Sequence, residues 1–311
     1  MLQYESELEI SRILVEWYET YKRELPWRET RDPYIIWISE IILQQTRVVQ
    51  GLEYFLRFTE RFPDVASLAV AEEDEVLKYW QGLGYYSRAR NLHAAARQIM
   101  NDFSGVFPRT REEVLSLKGI GDYTAAAICS FAYRLPYATV DGNVFRVLAR
   151  LFDIDLPIDG GEGKKYFTAL AQSLLDERRP DLFNQAMMEF GALQCVPKSP
   201  DCEHCRLNGT CLGLAARQVE RLPVKSGKTV VKPRYFNYLY IHGQGMTLLF
   251  KRTGNDIWRN LYEFPLIETE RAVTWEELSG MAVFQELFDG IEKVEITREY
   301  VAKKHVLSHR V

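Results

Sequence analysis

The sequence predicts a multidomain protein: a long all-α region followed by a smaller α+β domain. Three observations carry this reading. The length of 311 residues corresponds to about two domains. Apolar residues recur at three- and four-residue steps from Glu5 to about Ala216, the period of helices that bury one face. After Cys211 the helical period stops, and β-rich runs separated by glycine turns take over.

The elements follow in order. ESELEISRILVEWYETYKR, VVQGLEYFLRFTERF and EDEVLKYWQGL each read as an amphipathic helix. Asp64 to Leu68 and Thr110 to Leu115 read as further short helices. Phe62-Pro63-Asp64 and Phe107-Pro108 supply the breaks between them. Gln218 to Lys232 is basic, contains Pro223 and Gly227, lacks a helical period and reads as a linker. RYFNYLYIHGQGMTLLFKR reads as a hairpin turning at Gly243-Gln244-Gly245, WEELSGMAVFQELF as a helix, and Tyr300 to Val311 as a strand. With no closing turn after that strand, the last domain is either cut short or ends on an exposed edge.

Composition narrows the class. Hydrophobic residues at 47% and charged residues at 26% are ordinary for a globular chain and exclude a disordered or collagen-like one. No apolar run reaches the ~18 residues of a membrane helix. The opening MLQYESELEI has three Glu and no basic residue, unlike a secretory signal, so the expected location is the cytoplasm. The net charge of −4 argues weakly against a nucleic-acid partner, because a sum over all faces can conceal a basic patch. From Arg217 to Arg234, six Lys or Arg residues stand against Glu220 alone.

Two constellations carry chemistry. Cys195, Cys202, Cys205 and Cys211 follow a C-x6-C-x2-C-x5-C spacing. Four thiolates in so short a stretch suit a [4Fe–4S] cluster or a zinc ion, and spacing alone leaves both open. Cys129, within AAAICSFAY, reads as a buried core thiol. Leu117-Lys118-Gly119-Ile120-Gly121 lies between two helical stretches. Its glycines permit a tight turn, and the following helix opens with free N–H groups suited to a phosphate. Helix–LKGIG–helix is a helix-hairpin-helix, an element that positions a duplex without reading its sequence. Lys118, Gly119 and Gly121 are its candidate contacts with the DNA backbone, and its carbonyls are a candidate cation site.

The hairpin, the VDGNVFRV run from Val140, and the four cysteines together resemble the endonuclease III superfamily of DNA glycosylases. Leu25-Pro26-Trp27-Arg28, the run from Trp37 to Thr46 (WISEIILQQT) and the run from Gly82 to Leu92 (GLGYYSRARNL) narrow the resemblance to the MutY-type adenine DNA glycosylases. The resemblance covers nearly the whole chain. It implies a six-helix barrel over 23–134 and an iron–sulfur domain formed by 1–22 and 135–217. A linker over 218–232 and a Nudix-like domain over 233–311 would follow. It also implies that the four cysteines hold a [4Fe–4S] cluster.

The implied activity is removal of adenine mispaired with 8-oxoguanine or G, on double-stranded DNA and as a monomer, after the base is flipped out. Glu40 and Asp141 match the family's catalytic carboxyls. By pattern alone, Glu40 is either a solvated helix carboxylate or an acid held among apolar neighbours with a raised pKa, and Asp141 is an N-cap or a catalytic anion. Tyr123 stands where bifunctional relatives carry the lysine that forms a Schiff base, which implies a glycosylase without strong strand-cutting activity. Trp27, Arg28, Leu43 and Gln185 match positions around the adenine. Gln45 and Tyr85 match wedges beside the lesion, and Thr46 matches a contact to the damaged base or its backbone. In the last domain, Trp258 to Pro265 loosely matches W-x-x-L-W-E-F-P, with Tyr262 for the second Trp. No cluster of metal-binding Glu follows, so diphosphate hydrolysis is not expected. Ser308, within Leu307-Ser308-His309, matches the reader of the oxidised base, with Leu307 replacing Phe. The competing functions are a thymine or uracil mismatch glycosylase and a non-enzymatic iron–sulfur lesion-binding protein.

Overall fold

The computed structural model of the chain describes residues 2–227, 233–291 and 294–300. Contacts divide the chain into two units, 1–226 and 227–311.

The first unit is helical throughout. In chain order its helices are α1 (Leu2–Tyr21), α2 (Pro33–Leu43), α3 (Val48–Arg61), α4 (Val65–Val70), α5 (Glu73–Trp80) and α6 (Ser87–Asp102). Next come α7 (Arg111–Ser116), α8 (Asp122–Tyr133), α9 (Gly142–Leu151), α10 (Gly161–Ser173), α11 (Pro180–Leu193) and α12 (Leu212–Ala215), with a 3₁₀ turn at Pro26–Arg28. The sequence sets their starts. Asp64 and Thr110 close capping boxes with Ser67 and Glu113. Asp32 accepts from Tyr34 N–H while Pro33 opens α2, where a missing N–H costs nothing. Helix α2 is apolar on nearly every side, and Tyr34, Ile36, Trp37, Ile38, Ile41 and Ile42 are all buried.

Two groups of helices flank α2 and α11. In the first, α2 packs on α3 and α8, and α4, α5 and α6 pack together beside them. In the second, α11 packs on α1 and α9, with α10 and α12 against α9. This second core joins Leu14, Trp17 and Tyr18 of α1 to Val147 and Leu148 of α9 and to Met187 and Phe190 of α11. Contact between α8 and α11 connects the groups. Cys129 is fully buried, as a core thiol should be.

The stretch expected to be a linker from Gln218 belongs to this unit as far as Ser226. Val219 and Leu222 are buried, and Arg150 Nε donates to the Leu222 carbonyl at 3.1 Å. Two apolar side chains in a basic run are enough to dock it.

The second unit departs from the expected hairpin. Strand β1 (Tyr235–Tyr238) pairs antiparallel with the distant β6 (Leu266–Thr269), placing Tyr235 opposite Thr269. Only β2 (His242–Gly243) and β3 (Met246–Thr247) form a local hairpin. Gln244 and Gly245 both have positive φ there, as a two-residue turn of this twist requires. Strand β4 (Phe250–Lys251) pairs with β5 (Tyr262–Glu263). The single helix expected over WEELSGMAVFQELF is two, α13 (Trp275–Ser279) and α14 (Ala282–Leu287), separated at Gly280-Met281. Ile267, Leu278 and Phe284 form the small core. The strand expected over Tyr300 to Val311 falls, beyond Tyr300, outside the described residues.

Candidate active site

Glu40 lies in the apolar helix α2 and is 7% exposed. Burial pushes its pKa up to about 7; Asp141 adds to the rise, while a bond from Tyr123 and the charge of Arg28 oppose it. That bond runs from the Tyr123 hydroxyl to Glu40 Oε2 at 2.8 Å. Tyr123 occupies the first turn of α8, directly after the hairpin. Burial, with Glu40 and Asp141 nearby, holds its phenol well above the usual range, so it remains a donor.

Asp141 is the N-cap of α9. Its Oδ1 accepts from the N–H groups of Asn143 (2.9 Å) and Val144 (2.8 Å), and its Oδ2 from Asn143 Nδ2 (2.8 Å). Burial raises its pKa, and these donors together with Arg146 pull it back. The fold therefore gathers Glu40, Tyr123 and Asp141, from three helices, into one interacting group.

The 3₁₀ turn carries Trp27 and Arg28. Trp27 is buried edge-to-face against Phe55, with ring centroids 5.0 Å apart. Arg28 Nη1 and Nη2 donate to Glu189 at 3.0 and 2.7 Å. Gln185 accepts from the Tyr18 hydroxyl at 2.5 Å. A cleft of about 630 Å³ has Arg28, Gln185 and Tyr18 in its wall, with Lys22, Arg23 and Arg31; among the described residues Trp27, Leu43 and Glu40 do not line it. Leu43, half-buried, ends α2 and packs where Gly51 leaves space for it: a Cβ there would lie 2.7 Å from Leu43 Cδ2.

Gln45 and Tyr85 are both exposed and both left-handed, at φ 55° and 48°. Such conformations are costly for side-chain-bearing residues and concentrate at functional loops. Thr46 is half-buried beside Gln45. One guanidinium ties the two loops together. Arg88 Nη1 donates to the carbonyls of Ile41, Ile42 and Gln44 at 2.9, 3.1 and 2.5 Å, and its Nη2 donates to that of Gly84 at 3.2 Å.

The helix-hairpin-helix is α7, the Leu117–Gly121 turn and α8. Gly119 has φ 79°, and a Cβ on it would lie 2.6 Å from Asn91 Cβ. Gly121 is the N-cap of α8 and offers no side-chain acceptor, so the first N–H groups stay uncapped. Lys118 is exposed beside them.

All four clustered cysteines line one small cavity, walled by Val147, Leu151, Phe190, Leu207 and Val219 among others. Arg150 Nη1 approaches Cys195 Sγ at 3.4 Å and also donates to the Val196 carbonyl at 2.7 Å. The Leu207 N–H points at Cys205 Sγ at 3.4 Å. Arg146 joins this region to the carboxyl group, donating to the Cys195 carbonyl at 2.7 Å and to Asn143 Oδ1 at 2.8 Å.

Arg88, Arg146 and Glu189 were not anticipated. Arg88 and Arg146 lie inside the GLGYYSRARNL and VDGNVFRV runs, and Glu189 is a charge between Met188 and Phe190, but none of these settings names a partner. Ser308 lies outside the described residues. Glu263, in the W-x-x-L-Y-E-F-P stretch, pairs with Arg252, whose guanidinium lies 5.1 Å from the Trp258 ring.

Comparison with known proteins places the fold and the family. Residues 38–172 match the pattern of the HhH-GPD superfamily base excision DNA repair proteins. Adenine DNA glycosylase of Buchnera aphidicola subsp. Baizongia pistaciae is 34% identical over 95% of this chain and 82% of its own length. The rat adenine DNA glycosylase is 42% identical over 64% of this chain and 40% of its own. Among solved structures, a thermostable thymine-DNA glycosylase superposes with a TM-score of 0.63 at 30% identity, over 70% of this chain and all of that one. An endonuclease III trapped on DNA shares the fold, with a TM-score of 0.58 at 22% identity over 68% of this chain and 98% of its own. The class is therefore that of helix-hairpin-helix base excision repair enzymes. Within it, the chain belongs to the adenine DNA glycosylases, enzymes that hydrolyse N-glycosyl bonds.

Proposed function

We propose that this chain removes adenine paired with 8-oxoguanine, or less efficiently with G, and leaves the DNA strand intact. The observation that carries the reading is the asymmetry of the two carboxyls. Burial raises the pKa of both, that of Glu40 to about 7, but Glu40 has a single phenol as donor, whereas Asp141 accepts from three N–H groups that oppose the rise and favour its anion.

In the proposed mechanism, the Glu40 proton passes to a ring nitrogen of the flipped adenine, and the bond from the sugar C1′ to the base N9 breaks. The pair of electrons leaves with the base, and the positive charge that grows on the sugar is stabilised by the Asp141 carboxylate. Water then adds at C1′ and gives a proton back to the Glu40 carboxylate. Tyr123 holds Glu40 in place and, as a phenol, forms no Schiff base with the abasic sugar. Arg28 and Gln185 face the adenine edge. Lys118, the N–H groups after Gly121 and the hairpin backbone hold phosphate. Gln45, Tyr85 and Thr46 fill and contact the space beside the lesion.

The four thiols fit a [4Fe–4S] cluster. They share one apolar-walled cavity next to a fixed guanidinium and an amide N–H, both of which favour the thiolate. When bound, the cluster supplies metal–sulfur bonds that close the Cys195 to Cys211 loop onto α9. The C-terminal unit, Nudix-like in this reading, checks for the oxidised base through Ser308. Glu263 is paired there with Arg252.

The test is single-turnover excision on duplexes carrying A opposite 8-oxoguanine, A opposite G, or T opposite G, each split between alkali and no treatment. A-strand breaks that appear only after alkali are expected. Breaks without alkali, or cleavage of the T strand as the thymine-glycosylase neighbour would suggest, overturn the reading. Iron analysis should return about four atoms per chain; zinc in its place overturns the cluster assignment.

A further inference from the structure

Among the described residues, the most deeply buried ion-paired carboxylate of the helical unit is Glu189, which the base-removal machinery described above does not use. Glu189 on α11 is 1% exposed, yet it is charged. Its carboxylate accepts from Arg23 Nε (2.8 Å), Arg23 Nη2 (2.5 Å), Arg28 Nη1 (3.0 Å), Arg28 Nη2 (2.7 Å) and the Arg23 backbone N–H (3.0 Å). Five donors on one carboxylate fix two guanidiniums at once. Arg28 is thereby held with its guanidinium 5.5 Å from the centre of the Tyr18 ring, and Tyr18 in turn donates to Gln185.

We infer that Glu189 is a positioning residue for base removal: by clamping Arg28 and neutralising part of its charge, it sets how strongly that guanidinium acts on Glu40. The inference rests on the excision reading given above. Two cations and one anion leave one net positive charge beside the cleft. Without the carboxylate there would be two, with the Arg28 guanidinium no longer held, and the ionised form of Glu40 would gain. The guanidiniums keep the Glu189 carboxyl down at about 2, so it stays ionised across the working range.

The groups facing each carboxyl are few. Glu40 accepts from Tyr123 of α8, and the charges acting on it are those of Asp141, at the start of α9, and of Arg28, on the 3₁₀ turn. Glu189 meets Arg23 and Arg28, and Tyr18 of α1 lies over Arg28. From α9, Arg146 is turned to the Gly191 carbonyl at 2.6 Å, and from α8 Tyr123 reaches α11 only through Met188 at 3.9 Å.

The experiment measures single-turnover adenine excision against pH, with DNA affinity measured on the same duplex. Glu189→Gln keeps shape and loses charge. Its alkaline limb should move to lower pH by about one unit, and its rate above that limb should fall about tenfold at DNA affinity unchanged within about twofold. Glu189→Asp keeps the charge and should restore the wild-type limb. Arg23→Met, at a partly exposed position, leaves a neutral Glu189–Arg28 pair and should move the limb to higher pH. A Glu189→Gln limb at the wild-type position overturns the inference. If that variant does not fold, an Arg23→Met limb that stays or moves to lower pH overturns it instead. A wild-type chain that excises no adenine removes the excision reading and this inference with it, whereas wild-type excision with unmoved limbs removes the inference alone.

Discussion

Replacing Tyr123 by Phe deletes one hydroxyl and with it the 2.8 Å bond to Glu40 Oε2. The bond favours the ionised form of Glu40 and so works against burial, which holds the carboxyl near 7. A hydrogen bond to a charged group contributes about 1.5–3 kcal/mol, and about 1.4 kcal/mol corresponds to one pH unit. The loss should therefore raise the Glu40 pKa by about one to two units. A raised pKa means that the proton is retained to higher pH, so the alkaline limb of excision must move to higher pH, not lower. The assay is the single-turnover rate against pH for wild type and variant on an A opposite 8-oxoguanine duplex. Slower turnover at every pH is compatible with this, since the variant loses orientation as well as charge. A limb that keeps its wild-type position, or moves to lower pH, would refute the claim that this limb reports Glu40 under the control of Tyr123.

Three further outcomes are expected. Tyr123→Lys should introduce strand breaks without alkali and a borohydride-trappable adduct, because an amine then sits beside the sugar carbon; an unchanged product pattern counts against the placement. Glu40→Gln should abolish excision while keeping DNA binding. It should also be more stable than wild type above neutral pH by about 1–2 kcal/mol, measured by denaturant titration. The sign follows from the raised pKa: the folded state retains the proton that the unfolded state releases, so wild-type stability falls as pH rises from the ordinary carboxyl range through about 7. Gly119→Ala should lose about 2–3 kcal/mol and bind DNA more weakly. It forces a left-handed residue to carry a Cβ 2.6 Å from Asn91 Cβ; wild-type stability would exclude that crowding.

Much of the helical unit was legible because its signals are local. Capping residues such as Asp64 and Thr110, the proline opening α2 and the three- and four-residue apolar steps all act within one turn. The second unit was less legible. Its strands are two to four residues long, and β1 chooses β6 across about thirty residues of chain, a choice made by packing around Ile267 that no local pattern records. Docking of Val219 and Leu222 was hidden by the basic residues around them. At the site, family motifs named candidate substrate-facing residues but not the residues that hold them. Arg88, Arg146 and Glu189 act on partners tens to more than a hundred residues away, and the residues around each of them do not disclose that partner.

The division of labour between the carboxyls follows from where each stands on its helix. Glu40 lies inside α2, where backbone N–H groups are committed to carbonyls one turn back, so it is left with a single phenol as donor. Burial then raises its pKa without opposition from the backbone. Asp141 stands one residue ahead of α9, where the first N–H groups have no helical partner, and it accepts two of them. The same donors that make it an N-cap oppose the effect of burial and favour its anion. In the proposed mechanism, capping and catalysis are one interaction at this position, not competing explanations. Exchanging the environments would exchange the roles: a carboxyl moved from the helix start to the helix interior would become the acid. Arg146 reinforces the arrangement by holding Asn143, the residue that supplies two of the three donors, against the Cys195 loop. The Cys195 loop is therefore linked through one guanidinium to the geometry of the Asp141 carboxylate.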